Sequence, residues 1–130
     1  MNRSLAAAAA VLGFTGVGLG AIGAHALKGS VAGLPDAAER LAWWETGARY
    51  HLVHALALFG LAVLAHHVPG KLTRSAGALF VAGIALFSGS LYALALTGDK
   101  VFARVTPIGG LLFLTGWGVA LLAALKLPKS

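Results

Sequence analysis

From Leu5 to Leu27 the chain carries no Asp, Glu, Lys or Arg, and from Ser75 to Gly98 it again carries none. Runs of that length constrain a fold more than any motif. A helix rising about 1.5 Å per residue crosses a roughly 30 Å hydrocarbon core in about 20 residues. The rest of the composition agrees. Of 130 residues 58% are hydrophobic and only 11% charged, where soluble domains carry roughly a quarter charged residues. Too few charges are present to coat a globule in water. The expected fold is therefore all-α, an integral membrane four-helix bundle forming a single domain over residues 1–130.

Spans are expected at about 5–27, 50–67, 75–98 and 107–125, with an interfacial amphipathic helix at about 36–48 between spans 1 and 2. Arg3 ahead of an apolar run, with Ala24-His25-Ala26 behind it, also fits a cleaved signal peptide. The run is long and glycine-rich for that role, so it is read as a retained helix. Pro35-Asp36-Ala37-Ala38-Glu39 reads as a helix start, Asp36 capping and Glu39 reaching back to its amide. Adjacent Trp43 and Trp44 suit the headgroup level. Trp117 lies well inside the fourth span and reads as a packing residue. Thr106-Pro107 reads as a cap followed by proline at the first helical position.

Absence of cysteine removes disulfides and thiolate chemistry. Ten Lys and Arg stand against four Asp and Glu, a net charge of +6. The basic residues sit singly in tails and short connections, where they meet anionic headgroups; no basic stripe with interleaved aromatics exists, so nucleic acid is excluded as a partner. Arg3, Lys71, Arg74, Lys126 and Lys129 would share one side, and Lys28, Arg40, Arg49, Lys100 and Arg104 the other. Five against five leaves the positive-inside rule undecided. Both termini are expected on the cytoplasmic side.

Lipid tails are as apolar as leucine, so close packing and internal hydrogen bonds must hold the helices together. Ala9, Gly13, Gly16, Gly20 and Gly23 recur at spacings of four and three, which places small residues along one stripe. Gly89 in the third span, and Gly109, Gly110 and Gly116 in the fourth, offer further close approaches. Such stripes serve packing within one chain or contact between copies, so a homo-oligomer or a place in a larger membrane complex is expected.

Glu45 and Arg49 are four apart with the acid first, the stronger order for a helical ion pair. His51 and His54 share a face, whereas Arg49 and His51 point about 200° apart at 100° per residue. Either the ion pair meets the headgroups and the histidines the bundle, or the reverse. Ionisable groups at membrane depth are costly and mark candidate sites. Three readings compete. In one, the histidines bond Ser88, Ser90, Tyr92 or His25 on neighbouring helices as structural links. In another, His25, His51 and His54 line a proton or small-solute conduit. In the third, the same imidazoles, with Glu45, hold a metal; two histidines supply too few ligands alone. Ser88 and Tyr92 also share a face, and a serine hydroxyl in such a helix commonly bonds the carbonyl four residues earlier. No base–nucleophile–orienter set can be assembled, so an enzyme is not expected, nor is a cofactor.

Gly20-Ala21-Ile22-Gly23-Ala24-His25, Glu45 to His51 with His54-Ala55-Leu56, Phe87-Ser88-Gly89-Ser90-Leu91-Tyr92, and Thr106-Pro107-Ile108-Gly109-Gly110 with Gly116-Trp117 occur in this order. They resemble the motifs of the small inner-membrane proteins called domain of unknown function 423. The resemblance covers nearly the whole chain. It implies four spans, a retained first helix and a bacterial inner-membrane location, and it brings no established activity. It also implies that His25, Glu45, Arg49, Tyr50, His51, His54, Ser88, Ser90, Tyr92 and Thr106 matter to the shared design, as a site or as a fold-determining network. The leading expectation for function is a non-enzymatic accessory or scaffolding membrane protein.

Overall fold

The structure, a computed structural model, describes residues 2–130. Four long helices make up the described chain: α1 (Arg3–Ser30), α2 (Ala37–His67), α3 (Lys71–Thr97) and α4 (Lys100–Ala124). Each is long and apolar enough to cross a membrane, and no strand occurs among the described residues. The chain is an all-helical integral membrane protein. Its connections are short, so consecutive helices run antiparallel. Helix α1 lies along α2, α2 along α3 and α3 along α4. The α2 and α3 spans are each 44% buried within the protein, against 11% for α1 and 22% for α4. The centre is therefore the α2–α3 pair, with α1 and α4 on its flanks.

The helix expected at about 36–48 is not separate from the second span. Both belong to α2, which is one continuous 31-residue helix. Neither proline nor a glycine pair occurs from Ala37 to His67, so nothing breaks the hydrogen-bond ladder there. At about 1.5 Å per residue α2 measures roughly 46 Å, more than the hydrocarbon is thick. Its amino-terminal turns therefore reach the headgroups while remaining in line with the span.

The helix ends differ from the expected caps. Asp36 makes no side-chain cap; its carboxylate accepts from Arg40 Nε at 3.0 Å. Arg40 also donates to the Leu96 carbonyl at 3.2 Å and reaches that of Ala95 at 3.5 Å. Carbonyls in the last turn of a helix have no intrahelical donor, so Arg40 on α2 closes the carboxyl end of α3. Gly98 completes that end in the left-handed region, φ 70°, its N–H bonded to the Leu94 carbonyl at 2.8 Å. Thr106 is inside α4 rather than capping it: a 3-10 stretch, Lys100–Arg104, opens the helix and Asp99 accepts from the Val101 N–H. Asn2, which sequence reasoning passed over, caps α1 through the Leu5 N–H and donates its own N–H to the Ala62 carbonyl.

Two π-helical turns, Gly23–Leu27 in α1 and Ile84–Ser88 in α3, widen the helices locally. Such insertions change which face the following residues present. Ser88, at the end of the second, faces α2 and is fully buried.

Small residues do bring the helices together, on narrower lines than the stripe predicts. A Cβ on Gly16 would lie 2.8 Å from Leu52 Cδ2, and one on Gly23 would strike the Trp44 indole. A Cβ on Gly109 would run into the backbone of Phe87, and one on Gly116 would lie 2.7 Å from Phe80 Cδ1. By contrast Gly13, Gly20 and Gly89 have nothing within 4 Å, and Gly110 meets Phe87 only at 3.8 Å. Two helices in contact return to the same facing position every seven residues. Ala9, Gly16 and Gly23 are seven apart and face α2; Gly13 and Gly20, also seven apart, lie beside that line.

Candidate functional site

The buried polar side chains of α2 and α3 are His51, His54, Thr73, Ser88 and Ser90, each no more than 6% exposed. Thr73, at the start of α3, donates to the Val68 carbonyl at 2.8 Å. Hydrocarbon offers them no hydrogen bonds, so each must find partners inside the protein.

His51 reaches two neighbouring helices. Its Nδ1 lies 2.9 Å from the Tyr92 hydroxyl on α3, and its Nε2 lies 3.3 Å from the Thr15 hydroxyl on α1. Thr15 donates back to the Val11 carbonyl at 3.0 Å, so its oxygen is left to accept from Nε2–H. Tyr92 O–H then donates to Nδ1. The Nε2–H tautomer is assigned by these partners. Absence of a side chain at Gly16 leaves room for this: a Cβ there would be 3.2 Å from His51 Cδ2.

His54 turns the other way, toward α4. Its ring stacks on Phe113 with centroids 3.6 Å apart and planes 9° apart, and it meets Phe80 edge-on. Nδ1 lies 2.7 Å from the Tyr50 carbonyl, and Trp117 Nε1–H donates to Nε2 at 3.1 Å. A carbonyl only accepts and an indole N–H only donates. His54 is therefore the neutral Nδ1–H tautomer, and neither ring nitrogen has a lone pair to spare.

Ser88 does not bond the carbonyl four residues earlier. It donates across the helix pair to the Gly47 carbonyl at 2.7 Å. This is possible because Gly47 has no side chain, which lets α3 approach until Leu91 Cβ and Tyr92 Cε1 lie 3.2 and 3.1 Å from where a Cβ would be. Ser90 donates to the Phe87 carbonyl or shares a 2.6 Å hydrogen bond with Thr106, tying α3 to α4. No buried side-chain nitrogen or oxygen among the described residues lacks a partner.

Sequence reasoning missed the role of Trp44. Its ring is packed between helices: it is 5% exposed and its indole N–H donates to the Leu19 carbonyl at 2.6 Å. Its ring sits in the notch left by Gly23 and packs on Tyr92 at 4.6 Å. The signal was a glycine on α1, at the start of a widened turn, opposite an aromatic on α2, which spacing within one helix cannot reveal. Trp43 remains half-buried under the Lys100 ammonium, 4.9 Å from its ring centre.

Glu45 and Arg49 form the expected ion pair at 3.1 Å, and their side chains are 73% and 65% exposed. They face outward while the histidines face the bundle. Tyr50 is also outward, against Phe87 and Phe113. His25 is exposed on α1 and does not meet His51 or His54. No group of three or more His, Cys, Asp or Glu with metal-binding geometry occurs among the described residues. The ten candidate residues thus separate. His51–Tyr92, His54, Ser88 and Ser90–Thr106 link helices, Glu45–Arg49 and Tyr50 face outward, and His25 stands apart.

The family model described as "Protein of unknown function (DUF423)" matches residues 19–110. The chain belongs to this family. All ten candidate residues fall inside the matched segment. Among its relatives, the UPF0382 membrane protein YwdK of Bacillus subtilis is 46% identical over 111 residues, covering 85% of this chain and 86% of that protein. The UPF0382 inner membrane protein YgdD of Escherichia coli strain K12 is 38% identical over 128 residues, covering 98% and 94%. A UPF0382 membrane protein of Haemophilus influenzae is 42% identical over 108 residues, covering 83% and 82%. No solved structure matches the chain.

Proposed function

We propose that this chain is a non-enzymatic accessory or scaffolding protein of the bacterial inner membrane, acting as a homo-oligomer or as a subunit of a larger membrane complex. One observation carries the reading: the polar side chains buried in the bundle use their hydrogen-bonding capacity on one another and on the backbone. Groups so engaged fix which helix faces which. A general base or a relay needs a free lone pair or a neighbouring water path, and His51 and His54 look toward different helices with both nitrogens occupied. A conduit or a metal site built on His25, His51 and His54 finds no support in that geometry. No cofactor is proposed.

Association is supported by the flanks. Gly18 on α1 and Gly118 on α4 have nothing within 4 Å, and small residues in a lipid-facing surface are where a second helix approaches closely. Basic residues at the ends, Arg3, Lys71, Arg74, Lys126 and Lys129, would meet anionic headgroups, with both termini cytoplasmic. The inner-membrane location follows the name of the Escherichia coli relative.

Extraction from native membranes in a mild detergent, followed by native mass spectrometry, tests the reading. The expected species is a defined multiple of the 13.1 kDa chain or a defined complex with another protein. Gly18→Leu or Gly118→Leu, both on open surface, should dissociate it without unfolding the bundle. A single chain free of partners under every gentle extraction would contradict the proposal.

A further inference from the structure

Helices α1 and α2 part on one side of their contact line and leave a groove open to the lipid. Near the Lys28 end it holds about 480 Å³, with Gly20, Gly23 and Ala24 on one wall and Leu41, Trp44 and Ala48 on the other. Lys28 and Glu45 stand at its mouth. Deeper along the same two helices lies a second hollow of about 490 Å³, lined by Gly13, Val17, Leu52 and Phe59 among others, almost wholly apolar. Val17 is one turn from Gly20, and Leu52 one turn from Ala48, so the two hollows are consecutive stretches of one groove. From Glu45 to Phe59 along α2 is roughly 21 Å, longer than the roughly 15 Å of hydrocarbon in one leaflet. A Cβ on Gly13 or Gly20 would have nothing within 4 Å, so these glycines leave that wall without side chains.

The mouth carries both signs of charge. Lys28 has no ion-pair partner among the described residues. Glu45 gives one oxygen to Arg49, and the other has no partner among them. An unpaired ammonium and a half-used carboxylate over a narrow apolar slot match a zwitterionic amphiphile with an acyl chain. A second protein helix, 10–12 Å across with its side chains, is too wide for a slot between two helices already in contact.

We propose that the α1–α2 groove binds one phospholipid with a primary-ammonium headgroup, a phosphatidylethanolamine. Its phosphate pairs with Lys28, its ammonium donates to Glu45, and one acyl chain lies past Gly20 and Gly13 toward Phe59. The proposal stands whether or not the protein associates with partners, since the groove lies within one chain.

The delipidated full-length protein, titrated with phosphatidylethanolamine, phosphatidylcholine and phosphatidylglycerol of matched acyl chains and followed by native mass spectrometry, provides the test. Phosphatidylethanolamine should bind about tenfold more tightly than phosphatidylcholine, whose quaternary ammonium has no N–H to donate, a difference of about 1.4 kcal/mol. Glu45→Gln leaves Lys28 and Arg49 without an acid and should move the preference to phosphatidylglycerol. Lys28→Gln should weaken all three, and Gly20→Leu should fill the slot and abolish binding. Both mouth residues are exposed, so their variants stay folded, which circular dichroism checks. Equal binding of the three lipids, a wild-type preference for phosphatidylglycerol, or an unchanged preference in Glu45→Gln would each overturn the proposal.

Discussion

Gly109→Ala will destabilise the bundle by about 3 kcal/mol, the upper end of the usual cost of overpacking. The added methyl has only backbone to meet: Phe87 N and Cα occupy its place, with Phe87 Cβ 2.7 Å away. A clash with the tip of a side chain is relieved by rotation, whereas this one moves α4 away from α3. That movement also stretches the Ser90–Thr106 hydrogen bond and the stack of Phe113 on His54. Gly118→Ala on the same helix meets nothing within 4 Å and should fall within about 0.5 kcal/mol of wild type. Equilibrium unfolding of both variants in mixed micelles compares them directly. Equal stability of the two would mean that α4 does not cross α3 at Phe87.

Trp44→Ala should cost about 3–5 kcal/mol, the range for removing a large buried aromatic. It empties the Gly23 notch and removes the ring from Tyr92. It also takes away the indole donor at the Leu19 carbonyl. Trp44→Phe restores most of the ring but not the donor, and should recover all but about 1–2 kcal/mol, the value of a hydrogen bond between helices in a membrane. Gly23→Ala should resemble Trp44→Ala more than Trp44→Phe, because its methyl drives the indole out of the notch. The same unfolding measurement checks all three. A fully stable Trp44→Ala would show that the indole does not hold α1 against α2.

Much of this architecture was legible in the sequence, because hydrocarbon imposes one rule on every residue of a span. Uncharged runs such as Leu5–Leu27 and Ser75–Gly98 had to be helices crossing the bilayer. The order of Glu45 before Arg49, and the 200° between Arg49 and His51, correctly separated the ion pair from the histidines. What remained hidden depends on pairs of helices rather than on one. Spacing within α2 cannot say that His51 meets Thr15 and Tyr92 while His54 meets Trp117. Spacing within α1 gives five small residues in a stripe, yet only Ala9, Gly16 and Gly23 face α2, while Gly13 and Gly20 lie beside that line. The π-helical turn at Ile84–Ser88 carries no clear sequence mark, and with it Ser88 bonds Gly47 rather than its own helix. Arg40 was legible only as a polar residue near a helix start; its work is at the far end of another helix.

Several of the candidate residues therefore read as connectors. Ser88 joins α2 to α3, Ser90 and Thr106 join α3 to α4, and His51 with Thr15 and Tyr92 joins three helices at one depth. Such a network, fully paired, specifies one arrangement of helices that lipid-facing leucines would not distinguish.

Nitrogen-15 spectra of histidine- and tryptophan-labelled protein in lipid bilayers test the internal pairing of these groups most directly. Internal pairing predicts His54 as a single Nδ1–H tautomer, with magnetisation passing from the Trp117 indole N–H to His54 Nε2 across the hydrogen bond, and slow exchange of both protons with water. A His54 ring that is protonated at Nε2, or whose ring protons exchange rapidly with water, would contradict it.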